Sequence, residues 1–247
     1  MSAEVRVIPL RGIPELAEGG DLAAEIVRAA ERAGGLEAGD VIVVAQKAVS
    51  KVEGRTVRLA DVEPSERARE LADDGDPRRM EVILRETRAV VRARPPLVIS
   101  ETEHGFVCAS AGVDSSNAGC ADTVVLLPRD PDASAGRLRE ALLEATGAEV
   151  GVVVSDSFGR PWRLGTTDVA LGVAGLTPIL DLNGRRDSAG YELHATQIAV
   201  ADEIAGAAEL VMGKTAGIPA AIVRGLRVAG EGSAAELLMP RERDLFR

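Results

Sequence analysis

Residues 151–175, GVVVSDSFGRPWRLGTTDVALGVAG, constrain the fold of this 247-residue chain more than any other stretch. Residues 152–154 are consecutive valines, whose branched side chains pack well on a pleated, buried surface and predict a core strand. That strand is expected to end at Asp156 and Ser157, placing hard oxygen atoms where they suit a metal ion. Arg160, Trp162 and Arg163 follow, flanked by Gly159, Pro161 and Gly165. The expectation is a shaped loop that shows two guanidinium groups beside an acid, or an ordinary strand-to-loop transition with Trp162 as a core plug. Phe158 and Trp162 are two of only five aromatic residues, so aromatic surface is concentrated next to charge.

With so few aromatics, Val, Leu, Ile and Ala must fill the core, and the length permits one large domain or two small ones. The same scarcity removes the stacking platforms that single-stranded nucleic acid requires, and a net charge of -10 removes the broad basic field. No nucleic-acid partner is expected. No apolar run approaches the roughly 18 residues of a membrane span, and the opening MSAEVRVIPL lacks a signal-peptide pattern. No membrane partner is expected, and the expected location is the cytoplasm. Cys108 and Cys120 are too few for a disulfide scaffold or a four-thiolate zinc site, and His104 and His194 are too few for a multi-histidine metal centre. An anionic small ligand remains, provided metals or local cations hold it.

Strand-like runs recur at residues 5–10, 40–45, 89–92, 98–100, 105–110, 123–127, 150–155, 169–174 and 220–223. Leu22, Ile26 and Ala30 form one helical stripe, and Leu138, Ala141, Leu142 and Ala145 another that stops at the cap residue Gly147. Further helices are expected at residues 64–73, 77–88 and about 194–211. Strands and helices mix without a strict alternating rhythm, which predicts an α+β fold with a mixed sheet. The RARPP run at 92–96 reads as a linker, and NGRRDSAG at 183–190 as a second break. The expected organisation is a discontinuous nucleotide-binding domain, residues 1–92 and 185–247, with an inserted metal and substrate domain at 93–184.

Gly213-Lys214-Thr215 imitates the end of a P-loop, yet Ala208 stands where that motif needs glycine and a helix precedes it instead of a strand. The MGKTAGIP run is then either a helix cap or a small-residue nest of amides for an anion. Of 29 basic residues only three are lysine, Lys47, Lys51 and Lys214; a compact ammonium suits phosphate, and chance is the alternative. Asp114, Ser115, Ser116 and Asn117 form a hard-oxygen cluster that suits magnesium or manganese, or else an Asx turn. LRGIP at residues 10–14 is a strand exit that presents backbone amides.

Taken in order, LRGIPE, VVAQKAVSKVEGR, ASAGVDSSNAG, VVVSDSFGRPWRLGTTDVALGVAG and MGKTAGIPAAIVRG resemble the coenzyme F420-0:gamma-glutamyl ligase family over nearly the whole chain. The resemblance implies an enzyme that uses GTP and divalent cations to attach L-glutamate to coenzyme F420-0. It also implies two α+β domains in an intertwined homodimer, with the nucleotide in the cleft between domains. Carried onto this sequence, it implies a GTP site formed by Leu10, Arg11, Gly12, Ile13, Gln46, Lys51 and Asn117, wrapped by Met212, Gly213, Lys214, Thr215, Ala216, Gly217, Ile218 and Pro219. Asp114 and Asp156 are implied to hold Mg2+ or Mn2+, with Ser157 on a second ion and a monovalent cation as a further candidate. Relatives have an amide or acid on the second ion where Lys214 stands; an ammonium cannot ligate a cation, so Lys214 is expected on phosphate. Gln46 likewise replaces a small hydroxyl residue. Lys51, Asp114, Asp156 and Arg160 are the expected catalytic set, Arg160 and Arg163 anchoring anionic substrate groups and Trp162 packing on the deazaflavin ring. The alternatives are a related ligase or phosphotransferase with another acceptor, and a non-catalytic nucleotide-binding dimer.

Overall fold

The valine run at 152–154 pairs in parallel with the β-branched run at 41–44, and the rest of the fold is arranged around that pairing. The computed structural model describes residues 4–118 and 122–246, so Gly119 and Cys120 lie outside the described residues. In chain order the elements are β1 (Arg6–Pro9), α1 (Leu22–Arg32), β2 (Val41–Ala45), α2 (Gln46–Val52), β3 (Thr56–Arg58), α3 (Glu66–Ala72) and α4 (Pro77–Arg85). They continue with β4 (Thr87–Arg94), β5 (Leu97–Thr102), β6 (Val107–Ala109), β7 (Thr123–Val125), α5 (Pro131–Thr146), β8 (Gly151–Arg160) and β9 (Arg163–Ala174). The last are β10 (Leu180–Asp181), β11 (Gln197–Ile198), α6 (Val200–Met212) and β12 (Ala220–Arg224). The fold is mixed α and β, as expected.

A five-stranded sheet in the order β1-β12-β2-β8-β9 forms the centre, with only β2 and β8 parallel. Alternation of side chains along each strand divides its valines and isoleucines between two cores. Ile42, Val44, Val152, Val154 and Ile222 pack under α1 and α5. Val41, Val43, Val153, Ala221 and Val223 pack under α6, which buries Ala201, Ile204, Ala205, Ala208 and Met212 at helical spacing. Each fully buried valine or isoleucine contributes roughly 1.5–3 kcal/mol, so burial on both faces makes this sheet the rigid part of the molecule. Helix α5 begins with the Asp130 side chain accepting from the Ala133 amide at 2.9 Å and ends at Gly147 with φ 72°.

Register brings four chain segments to one end of the sheet. Ala45 stands beside Ser155, Val44 opposite Ala220, and Ala221 opposite Pro9. The exits of β1 and β2, the point where β8 parts from β2, and the entry to β12 therefore lie at the same edge, a place where open sheets with parallel neighbours bind ligands. A third core, with Leu59, Met80, Ile83, Val98, Val113 and Val124, lies under α3 and α4. Reciprocal backbone hydrogen bonds between Asp114 and Val125 at 3.0 and 2.8 Å tie the Asp114 segment to β7.

Several boundaries differ from expectation. Asp156 and Ser157 do not end a strand: the ladder with β2 stops at Ser155, while the ladder with β9 carries β8 on to Arg160. The RARPP run is the end of β4 and its turn into β5, where the prolines need no ladder hydrogen bond. Helix α6 starts at Val200 because Gln197–Ile198 pairs with Leu180–Asp181 just before it. Helix α2 was hidden by burial of Gln46, Ala48, Val49, Ser50 and Lys51, which leaves no one-sided periodicity. Strands β8 and β9, residues 151–174, belong to the central sheet.

Two glycines test the packing of α5. At Gly172 a Cβ would meet the Pro131 carbonyl oxygen at 2.1 Å, whereas at Gly136 it would meet nothing within 4 Å. Gly172→Ala is expected to destabilise the protein by more than ~2 kcal/mol, because the obstacle is backbone, and Gly136→Ala to stabilise it by roughly 0.5–1 kcal/mol. Urea unfolding midpoints of the two variants moving in the same direction would contradict this packing.

Candidate functional site

The converging segments enclose a cavity of ≈ 390 Å³. Strand β1 leads into Ile13 and Glu15, β2 into Gln46, Lys47 and Lys51, and β8 brings Asp156 and Ser157. Helix α6 and the turn into β12 add Glu209, Met212, Gly213, Lys214, Thr215, Gly217, Ile218 and Pro219. All three lysines of the chain thus line this cavity, two from α2 and one from the turn before β12. Lys51 pairs with Glu15, Lys47 pairs with Asp114 at 2.7 Å, and Lys214 is exposed.

The acids are held in different states. Burial pushes Asp156 up to about 7; the charges of Asp114 and Asp168 add to the rise, and the Ser157 amide and Lys47 oppose it. Burial works in the same direction on Asp114, yet the hydrogen bond and charge of Lys47 and the bonds from Ser116 outweigh it and hold this carboxyl below the usual range. Ser116 donates to Asp114 through its amide at 2.7 Å and its hydroxyl at 3.0 Å, so the Asx turn is present as well as the oxygen cluster. Asp168, only 6 % exposed, accepts from Ser155 Oγ at 2.8 Å and Ser157 Oγ at 2.6 Å. The Asp168 amide donates to Glu209 at 3.0 Å, joining β9 to α6.

Among the described residues no three His, Cys, Asp or Glu side chains form a ready-made metal cluster. The oxygen set nevertheless fits Mg2+ or Mn2+, which are usually bound by one or two carboxylates plus substrate phosphates. Ser157 gives its hydrogen to Asp168, leaving its lone pairs available to a cation. A divalent ion beside Asp156 would also favour the charged form that burial opposes. For a nucleotide, the fit rests on the lysines and on Gln46. Gln46 is 1 % exposed, accepts from Ser50 at 2.9 Å and leaves its Nε2 without a partner among the described residues, a donor in want of an acceptor.

Other expected residues stand elsewhere. Leu10 is fully buried in the core and donates its amide to Ala220 at 3.0 Å; Arg11 is exposed and its carbonyl accepts from Arg32 at 2.8 Å. Gly12 has φ 76° beside Arg32, and neither it nor Ala216 lines the cavity. Asp114 lies behind Lys47 and Asn117, which do line it; Asn117 donates to the Lys214 carbonyl at 3.3 Å. Arg160 and Arg163 sit at the tip of the β8–β9 hairpin, away from the cavity wall, because the strands continue past Ser157. Trp162 is no core plug: it is 83 % exposed and packs against Phe246 with ring centroids 4.8 Å apart. Cys108 is buried, and burial followed by the Asp156 charge pushes its thiol up to about 12, consistent with an inert cysteine. Lys47 lines the cavity, as the rarity of lysine suggested, whereas nothing in the sequence marks Asp168, Glu209 or Glu15.

The raised pKa of Asp156 predicts a pH effect on stability. Between pH 3.8, its ordinary value, and about 7 the folded state holds a proton that the unfolded state has lost. This contribution is full below that window and disappears as pH rises through it. In metal-free buffer Asp156→Asn should therefore raise the unfolding temperature at pH 8 and have little effect at pH 4, the difference being on the order of 4 kcal/mol. Calorimetry giving the same increment at both pH values would refute the assignment.

The sequence comparisons agree with this site in their extent. A profile described as F420-0:Gamma-glutamyl ligase matches residues 12–225, from the β1 exit to the end of β12. A protein of Methanothermobacter thermautotrophicus named coenzyme F420:L-glutamate ligase is 45% identical, over 98% of this chain and 99% of its own. Proteins of the same name from Methanopyrus kandleri and Archaeoglobus fulgidus are each 44% identical over 98% of this chain, covering 98% and 96% of their own lengths. Identity at this level along the whole length leaves no segment of the cavity outside the match, and the chain belongs to the F420-0:gamma-glutamyl ligase family.

Proposed function

We propose that this protein is a ligase that joins L-glutamate to a carboxylate of coenzyme F420-0, driven by GTP and releasing GDP and phosphate. The observation that carries the reading is the meeting of Asp156, Ser157 and every lysine of the chain around one cavity. The names of its relatives supply the substrate class.

A carboxylate resists amide formation because its oxygen is a poor leaving group. In the proposed sequence, an acceptor carboxylate oxygen attacks the γ-phosphorus of GTP. An O–P bond forms, the bond from that phosphorus to the β–γ bridging oxygen breaks, and GDP leaves. The glutamate nitrogen then attacks the acyl carbon of the acyl phosphate, the C–O bond breaks, phosphate departs and the amine proton passes to solvent. Such transfers depend on alignment and on neutralising charge at the moving phosphoryl group. Mg2+ or Mn2+, as one ion or two with Asp114, Asp156 and Ser157 as protein ligands, supplies Lewis-acid neutralisation when bound.

The chain's own groups do the rest. Lys51, oriented by Glu15, and Lys214 present ammonium groups to phosphate oxygens. Gly213 and Gly217, with φ 57° and 63°, let the turn before β12 aim its amides inward as an anion nest. Asn117 holds that turn through the Lys214 carbonyl, so nucleotide binding and Asp114 are mechanically joined. Arg160 anchors an anionic group of the acceptor or of glutamate from the hairpin tip. A homodimer belongs to the reading, since the hairpin also exposes Trp162 and Leu164, the latter 99 % exposed, as apolar surface for a second copy.

Incubation with GTP, Mn2+, L-glutamate and F420-0 should yield a product heavier by one glutamyl unit, with GDP formed in equal amount, by mass spectrometry. Asp114→Asn and Asp156→Asn should each lower kcat by on the order of a hundredfold or more while the protein stays folded. No glutamylated product, or near-normal rates in both variants, would overturn the reading.

A further inference from the structure

The three lysines on the cavity wall are not equivalent. Lys51 is paired with Glu15, and Lys214 stands exposed on the turn before β12. Lys47 alone lies between acids: its Nζ is 2.7 Å from Asp114 Oδ2, donates to Ser116 Oγ at 2.8 Å, and its charge also reaches Asp156. Lys47 belongs to the first turn of α2, which contains no acid, at the helix end where partial positive charge disfavours a cation. Local preference argues against a lysine there, so its reason lies in the tertiary site. The opposing segment is itself strained, with positive φ at Ser110, Ala111 and Asn117, a cost that packing sustains where a site demands it.

We infer that Lys47 is a further catalytic residue, an ammonium that exchanges between the Asp114 carboxylate and the oxygens of the phosphoryl group bound in the cavity. This rests on the reading of the cavity as a phosphoryl-transfer site. The oxygen that Lys47 engages belongs to the carboxylate expected to ligate the divalent ion, so lysine and ion compete for it. With a divalent ion on that carboxylate, the ammonium of Lys47, on a flexible four-carbon stem, would be released to the oxygens of a phosphoryl group in the cavity. Lys47 keeps its proton on both sides of the exchange, and no covalent bond changes. Lysine is the residue for this role: an arginine would fork onto both Asp114 oxygens and hold them. In a chain whose 29 basic residues include only three lysines, the choice of lysine here is informative.

The test is Lys47→Met in the full chain, read by Mn2+ titration without nucleotide and by steady-state kinetics. Mn2+ should bind roughly three- to tenfold more tightly once the competing charge is gone, while kcat falls on the order of a hundredfold. A lysine that merely supported the fold would give the opposite sign, weaker Mn2+ binding; that result, unchanged Mn2+ binding, or a near-wild-type kcat each overturns the inference. Should Lys47→Met fail to fold, Lys47→Arg decides instead, because a forked guanidinium on Asp114 should weaken Mn2+ binding, and equal binding overturns it. Asp114→Asn is the reference: loss of Mn2+ binding keeps the parent reading standing whatever Lys47 does, and unchanged binding overturns that reading together with the inference.

Discussion

The parallel pairing of β2 with β8 is the constraint on which the site depends. Val41 to Val44 and residues 151–154 are buried on both faces of the sheet, so their register cannot slip by one residue without exchanging two cores. That register ends with Ala45 beside Ser155. The next residues on the two strands are Gln46 and Asp156, which both reach the cavity. A strand pair held by hydrocarbon packing thus delivers an amide, an ammonium and a carboxylate to one place. The antiparallel pairing of β12 with β2 then fixes the glycine-containing turn 213–219 over the same opening.

The electrostatics follow from that placement. A protein with net charge -10 has no general attraction for a triphosphate. Its cavity compensates locally by collecting every lysine, while the acids it needs for a cation are kept apart by their surroundings. Asp114 is stabilised as an anion by Lys47 and Ser116; Asp156, with burial against it and no ion pair among the described residues, is poised near neutrality. The two carboxylates of one site are therefore shifted in opposite directions, Asp114 down by its ion pair and Asp156 up because burial outweighs the Ser157 amide and the charge of Lys47.

Much of this was legible in the chain. The strand runs at 40–45, 150–155 and 220–223 fall on β2, β8 and β12 because consecutive β-branched residues bounded by polar ones have few other destinies in a core. Gly147 as a cap was equally readable, since only the left-handed conformation ends α5 there. Helix α2 was not, because its two sides are both buried and amphipathic periodicity vanishes. Lys47 stood out by the rarity of lysine, but its pairing with Asp114 did not. The continuation of β8 to Arg160 was missed for another reason: serine, aspartate and glycine read as a strand end, but a cross-strand partner in β9 and the hydroxyl bonds to Asp168 sustain the ladder. A pattern within one segment cannot report a partner that lies in another.

The Asp168 network shows how the two walls of the cavity are kept in step. Its carboxylate gathers the hydroxyls of Ser155 and Ser157, and its amide is held by Glu209 on α6. The carbonyl of the same Glu209 accepts from Gly213 at 2.8 Å, at the start of the turn that carries Lys214. Asn117 closes the circuit from the Asp114 segment by donating to the Lys214 carbonyl. A displacement of the turn at 213–217 is therefore passed to Ser157 through Glu209 and Asp168, and to the Asp114 segment through Asn117. The bonds that Asp168 makes to Ser155, Ser157 and Glu209 join buried or partly buried groups, so leaving one of them unmade costs roughly 1–3 kcal/mol, whereas the Asn117 link is exposed. That cost favours a cavity in which the Ser157 strand, β9 and α6 move together over one in which any of them moves alone.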